Sequence, residues 1–210
     1  MKGKKPILIL LAALMLAMNS TALANPIQTE ITASCLIPDV TIEVSVPVSG
    51  TVYLNPYKLP VELAGNRTSN AQIVSEPAYI ENLSDVPVQV DVSAYGEPSG
   101  ELELFAISTK GLGNFGKFAF VYFEMKAVSN PDQVTWDSAY DADKHLFILD
   151  SELTKTNIAS LGSAKEANRF GAFRLSGDCV AAPPVPWDAR DGVVVYVTFT
   201  FQPLPLSENP

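Results

Sequence analysis

His145 is the only histidine in this chain of 210 residues, so it is the only imidazole that could act as a general base. A serine hydrolase would also need an exposed nucleophile, and the sequence contains no G-x-S-x-G elbow. A glycosidase would need two carboxylates at a defined separation, and the 23 Asp and Glu residues suggest no such pair. Because His145 precedes the apolar run 146–149, we expect it at a strand end, and we expect no enzymatic activity and no cofactor.

Several closely spaced carboxylates raise the question of a metal site. Asp141 and Asp143 fall at positions one and three of a calcium-loop register, but Leu146 stands where that loop requires glycine. Two alternatives therefore stay open. Asp137, Asp141 and Asp143 form an irregular calcium site, or they belong to a solvated acidic loop.

Residues 111–116 spell Gly-Leu-Gly-Asn-Phe-Gly and match the dinucleotide-binding pattern G-x-G-x-x-G. That pattern requires a preceding parallel strand and a following helix whose N-terminus meets the pyrophosphate. Here the residues from Phe118 onwards have the composition of a strand. We therefore predict a glycine-rich hairpin loop and no nucleotide site.

The cellular compartment follows from the beginning of the chain. Three lysines precede the uncharged apolar run 7–17, and residues 22–24 (Ala-Leu-Ala) have small side chains at the two positions that signal peptidase recognises. The apolar run is shorter than the ~20 residues that a bilayer span needs. We expect residues 1–24 to be a cleaved signal peptide and residues 25–210 to form one domain. The expected location is secreted or cell surface, with no membrane span after cleavage.

The charge of the exported chain excludes some partners. Three of the 14 Lys and Arg residues lie in the signal segment, so 11 basic residues face 23 acidic ones, a formal net charge of −12. A surface of that sign repels nucleic-acid phosphates and anionic membranes. We therefore expect no nucleic-acid partner.

Cys35 and Cys179 are the only cysteines. A single pair in an exported chain most often forms a disulfide, and no histidine cluster is present to complete a zinc site. We predict a bridge between Cys35 and Cys179, which would stabilise the fold by roughly 5 kcal/mol in the chain-entropy model. A buried pair of free thiols is the alternative.

Alternating apolar and polar residues predict β-strands along most of the exported chain, most clearly in residues 41–46, 86–92 and 193–201. The run 118–125 is apolar on both faces and predicts a covered central strand. Residues 73–80 contain Pro77 and predict an edge strand, and only residues 160–170 suggest a helical turn. About nine or ten strands are expected in all, and they predict an all-β fold. We expect an antiparallel two-sheet β-sandwich, immunoglobulin-like or jelly-roll.

Trp136 and Trp187 are each followed by aspartate and lie outside the clearest strands. Exposed indoles at such positions can stack on sugar rings or anchor a protein partner. Both are therefore candidate ligand-binding residues. The alternative is that they are buried under loops.

Two segments resemble known secreted proteins. Residues 79–90 (Tyr-Ile-Glu-Asn-Leu-Ser-Asp-Val-Pro-Val-Gln-Val) are similar to a strand–turn–strand hairpin of bacterial immunoglobulin-like surface modules and of the TasA/camelysin group of matrix-filament subunits. Residues 187–195 resemble the closing strand of Gram-positive secreted sandwich proteins. The resemblance implies a bacterial surface or matrix protein.

These patterns together predict an exported, non-enzymatic structural protein of the cell surface or extracellular matrix. Its expected partners are further copies of itself, as in an assembling subunit, or a cell-envelope polysaccharide. The alternative is a carbohydrate-binding or adhesion module that uses exposed aromatic residues.

Residues 25–34 form an N-terminal arm that has only Ile27 and Ile31 as large apolar side chains. Such an arm can pair with the sheet edge of another subunit, which would explain assembly. Alternatively, the arm completes its own sheet.

Overall fold

The computed structural model describes residues 26–27, 30–34, 41–47, 49–110, 116–136, 139–180 and 186–204. The predicted signal peptide, Cys35, Asp137 and residues 111–115 lie outside these ranges. Within them the regular secondary structure is β-strand apart from one 3-10 turn, and the strands pair antiparallel apart from one parallel pair. The predicted all-β class is confirmed. No helix among the described residues has the length and apolarity to cross a membrane.

The described residues form fifteen strands: β1 (Pro26–Ile27), β2 (Glu30–Ser34), β3 (Thr41–Ser45), β4 (Val52–Leu54), β5 (Val61–Leu63), β6 (Arg67–Ser69), β7 (Ile73–Ser75), β8 (Ala78–Asn82), β9 (Val88–Ser99), β10 (Leu102–Leu104), β11 (Lys117–Val128), β12 (Leu146–Ile148), β13 (Leu153–Leu161), β14 (Phe170–Cys179) and β15 (Gly192–Pro203). A short 3-10 turn spans Pro131–Gln133. The predicted count of nine or ten is not confirmed, because several strands have only three residues. The predicted helical turn within residues 160–170 is wrong, because turns connect β13 to β14 there.

A four-stranded sheet has the order β1-β15-β9-β13. Strand β15 pairs with β9 along its whole length, from Gly192 opposite Ser99 to Pro203 opposite Val88. On its other side, β15 pairs with β1 at two positions only. The alternation of apolar and polar residues that predicted β15 thus corresponds to a long strand, and one side of this strand is paired along its whole length.

A seven-stranded sheet has the order β10-β11-β14-β8-β3-β2, and β12 pairs with β11 on the same side as β10. Strand β11 begins directly after Gly116, so a strand follows where a dinucleotide site would need a helix. The predicted edge strand 73–80 is two strands, and β8 lies inside the sheet between β14 and β3. The edge prediction is wrong for β8 because Pro77 precedes the strand and takes no place in its ladder.

One apolar cluster receives side chains from both large sheets. Val88, Val90 and Val92 of the four-stranded sheet join it, as do Val121 and Phe123 of the seven-stranded sheet, and all five are fully buried. The opposite face of β11 is also covered, which agrees with the apolar composition of residues 118–125.

The segment 79–90 does not form the hairpin that the resemblance implies, since β8 and β9 lie in different sheets. Asn82, at the end of β8, is fully buried and donates hydrogen bonds to the carbonyls of Val86 and Gly162, both at 2.8 Å. The hydroxyl of Ser84 accepts a hydrogen bond from the amide of Glu43 at 2.8 Å. These bonds make the turn a corner that carries the chain from one sheet to the other.

The described part of the N-terminal arm pairs within its own chain. Strand β1 lies beside β15 with Ile27 opposite Phe199, and β2 lies beside β3 with Ile31 opposite Val44. The arm therefore contributes an edge strand to each of the two large sheets.

Candidate binding surfaces

Two concave surfaces are candidates for binding. The first, called the edge groove, has a volume of about 630 Å³ and lies between β15 and residues 46–47 and 49–52. Phe123, Phe173 and Phe199 line it, and their rings contact one another with centroids 5.2–6.0 Å apart. The edge groove is therefore mainly apolar.

The side of β15 that borders the edge groove has few strand partners. Only Phe199 and Thr200 pair with β1, and among the described residues nothing pairs with positions 192–198 on that side. Val193, Val195 and Val197 point into the groove and pack against the core cluster. Within the described part of the chain, a main-chain edge thus has no strand partner where its apolar side chains enter the groove.

A buried ion pair fixes the beginning of β15. Lys117 Nζ lies 2.7 Å from Asp191 Oδ2, and both side chains are only 2% exposed. Asp191 also accepts hydrogen bonds from the amides of Asp188 and Glu101. The hydrogen bond to Asp191 raises the pKa of Lys117. Burial opposes ionisation of Asp191, but the hydrogen bonds from Lys117 and the two amides hold the pKa of its carboxyl below its usual value.

The second surface, called the aromatic groove, has a volume of about 430 Å³. It lies on the outer side of the seven-stranded sheet, between the β5–β6 hairpin and residues 131–136. Tyr79 and Trp136 are its aromatic side chains, and Arg67 and Asp132 are its charged ones. Trp136 is predicted by the sequence, whereas Tyr79 is not, because the only local signal of Tyr79 is its place on the polar face of β8.

Trp136 is held by a buried ionic cluster. The guanidinium of Arg174 lies over the indole, 4.9 Å from its centroid, and Arg174 Nε donates a hydrogen bond to Glu124 Oε1. Glu124 is fully buried on the face of β11 that points away from the core cluster. Its other oxygen, Oε2, lies 3.6 Å from His145 Nε2. The hydrogen bond to Glu124 holds Arg174 in place, and the guanidinium of Arg174 in turn covers one face of the Trp136 indole.

His145 is buried immediately before β12, as expected of a strand-end residue. Its Nδ1 accepts a hydrogen bond from the amide of Asp141 at 2.9 Å, and its ring stacks on Tyr122 with centroids 5.1 Å apart. The imidazole lines neither of the two grooves.

The acidic loop contains two of the three calcium candidates among the described residues. Asp141 accepts a hydrogen bond from the amide of Asp143 at 2.9 Å and pairs with Lys144 at 3.2 Å, and these two interactions lower the pKa of its carboxyl. Asp137 lies outside the described residues. Among the residues that are described, no three His, Cys, Asp or Glu side chains are grouped so that they could hold a metal ion.

The other candidate side chains occupy structural positions. Trp187 packs against the core cluster, and its Nε1 donates a hydrogen bond to the carbonyl of Val180 at 2.9 Å. Cys179 is a buried free cysteine among the described residues, and burial raises the pKa of its thiol to about 12. Because Cys35 lies outside the described residues, the disulfide stays a prediction. Trp136 is therefore the one predicted ligand-binding residue that lines a groove.

The chain matches no protein-family model, no curated protein and no solved structure. The resemblance of residues 79–90 and 187–195 to secreted surface proteins thus stays an expectation from the sequence. The geometry of the two grooves carries the functional argument.

Proposed function

We propose that this protein is an exported, non-enzymatic structural subunit of a bacterial cell surface or extracellular matrix, whose copies assemble by β-strand addition. The open edge of β15 above the edge groove is the observation that carries this proposal. The expected signal peptide supports export, and the acidic composition suits a soluble extracellular chain.

We further propose that the two large sheets form a β-sandwich. Both contribute fully buried valines to one cluster, as the facing sheets of a sandwich do. In such a fold the space between β15 and residues 46–47 and 49–52 is one open side of the sandwich. A strand added there would cover apolar side chains that two sheets alone leave accessible.

The occupant of the edge groove is the N-terminal arm of a second copy. Ile27 lies opposite Phe199 in the pairing of β1 with β15, so extending that antiparallel register places Ile31 opposite Val195 and Ala33 opposite Val193. Residues opposite one another in an antiparallel pair point to the same face. The apolar residues of the arm would then enter the groove, and its polar residues would face solvent.

An arm that leaves its own chain gives up the pairings of β1 with β15 and of β2 with β3. On the next copy it pairs with β15 again and gains main-chain hydrogen bonds along residues 192–198. An exposed apolar strand edge is a template for association, and filling it removes that liability. Repeating the exchange from copy to copy produces a filament.

The test is sedimentation velocity of the exported chain, residues 25–210, over a range of concentrations. The wild-type protein should form polymers whose size increases with concentration. Val195→Lys places a charge in the edge groove and should give a monomer. Thr198→Lys is the matched control, because Thr198 lies on the same strand, is partly exposed and does not line the groove. It should polymerise as the wild type does.

Thermal unfolding of both variants shows whether each remains folded. The proposal is wrong if the wild-type protein stays a monodisperse monomer at every concentration. It is also wrong if folded Val195→Lys polymerises as well as Thr198→Lys.

A further inference from the structure

We propose that the aromatic groove binds a neutral saccharide chain. This inference goes beyond the proposed assembly, because the aromatic groove and the edge groove are lined by largely different residues and bind different partners. The protein would thereby attach to a glycan of the envelope or matrix while its copies join through β15.

Two aromatic rings supply the platform. Tyr79 is 48% exposed although its ring is held edge-on against Phe170, with centroids 5.8 Å apart and planes at 86°. Trp136 lines the same groove. Aromatic rings with few rotatable bonds provide large contact areas at low cost in conformational entropy, and they stack on the apolar faces of ring-shaped ligands.

The position of Trp136 is set before any ligand arrives. Arg174 lies over the indole and is itself fixed by the buried carboxylate of Glu124. A fully buried charge such as that of Glu124 is costly unless a partner compensates it, which favours keeping Arg174 at the carboxylate. Arg174 is therefore a positioning residue, and Trp136 and Tyr79 are the side chains that touch the ligand.

The polar rim favours an uncharged ligand with many hydroxyl groups. Arg67 provides donors, but its charge is balanced by Glu76 at 3.3 Å, and Asp132 adds exposed acceptors. The rim therefore has no excess positive charge, and the exported chain as a whole is acidic. Phosphate-bearing and uronic-acid polymers would be repelled. The volume of about 430 Å³ lies within the range of ~300–1,000 Å³ that is usual for ligand sites.

The test uses affinity electrophoresis of the exported chain in gels that contain hydroxyethylcellulose, a neutral β-glucan, or hyaluronan, an anionic polysaccharide. A titration with the hexamer of N-acetylglucosamine, followed by tryptophan fluorescence, runs beside it. In a Trp187→Phe background, Trp136 is the only indole and reports on the groove directly. A proline-rich peptide serves as the competing ligand class, since aromatic grooves also bind such peptides.

The wild-type protein should be retarded by the neutral polymer, or the Trp136 emission of the Trp187→Phe variant should change with the neutral hexamer. Tyr79→Ala and Trp136→Ala should each weaken binding about tenfold or more, which corresponds to ~1.4 kcal/mol. Tyr57→Ala is the matched control because Tyr57 is exposed outside both grooves, and it should bind as the wild type does.

Three results would overturn the proposal. The first is no interaction with either neutral probe, and the second is binding of hyaluronan or the peptide alone. The third is unchanged affinity in folded Tyr79→Ala. Val195→Lys should bind the neutral probe normally, so loss of assembly and loss of saccharide binding are separable results.

Discussion

Replacing Arg174 by methionine should destabilise the protein, because the change removes the cation that pairs with a fully buried carboxylate. Glu124 Oε1 accepts a hydrogen bond from Arg174 Nε. Glu124 Oε2 accepts no hydrogen bond among the described residues, and it lies 3.6 Å from His145 Nε2. Methionine fills similar space without the charge, so the carboxylate would lose its main partner.

Breaking a buried ion pair by removing one partner costs roughly 3–5 kcal/mol. The Arg174 side chain is 26% exposed, so solvent screens part of this interaction, and we expect a loss of ~2–4 kcal/mol. For a domain of this size, Tm should fall by roughly 5–15 °C. The matched control is Lys165→Met, which breaks an exposed surface pair with Asp85 and should change stability by less than about 0.5 kcal/mol.

The assay is urea unfolding, followed by circular dichroism, of wild type, Arg174→Met, Lys165→Met, Glu124→Gln and the Arg174→Met/Glu124→Gln double variant. The loss of unfolding free energy in the double variant should be ~1–3 kcal/mol smaller than the sum of the losses in the two single variants, because the second change removes the unpaired charge. An unfolding midpoint of Arg174→Met equal to that of Lys165→Met would refute the argument. Strict additivity of the two single changes would refute it as well.

Lys117→Met should have its full destabilising effect above pH ~4 and a smaller effect at lower pH. The pKa of Asp191 is lowered in the folded protein, so its pairing with Lys117 contributes stability only while the carboxylate is ionised. Unfolding measured along an acid titration checks this, and a difference from wild type that is independent of pH would contradict it. Mass spectrometry of the non-reduced exported protein should show two hydrogens fewer than the free-thiol mass, because Cys35 and Cys179 are expected to be bridged. Two alkylatable thiols would show that the bridge is absent.

The sequence predicted where strands form better than it predicted which strands pair with one another. The alternation in residues 193–201 identified which side chains of β15 face the core, because a strand has only two faces. The resemblance of residues 79–90 to a known segment implied a hairpin, yet β8 and β9 lie in different sheets. That corner depends on Asn82, whose hydrogen bond to Gly162 joins residues far apart in sequence. Local patterns carry no such information.

The candidate binding residues were likewise only partly predictable from the sequence. Trp136 and Trp187 look alike in the sequence, since each precedes an aspartate outside a clear strand. Only the tertiary structure places Trp136 beside Tyr79 and packs Trp187 against the core cluster. The open edge of β15 was likewise not predictable, because it depends on how far β1 extends along that strand.

The most direct test of strand-exchange assembly mixes two variants that are each defective at one end. Deleting residues 25–33 removes the arm but keeps the edge groove, and Val195→Lys keeps the arm but blocks the groove. Sedimentation velocity of each variant alone should show a monomer. An equimolar mixture should form a 1:1 complex that grows no further, because one arm fills one groove. If the mixture contains only monomers, or if either variant polymerises alone, assembly does not proceed through the arm and the edge of β15.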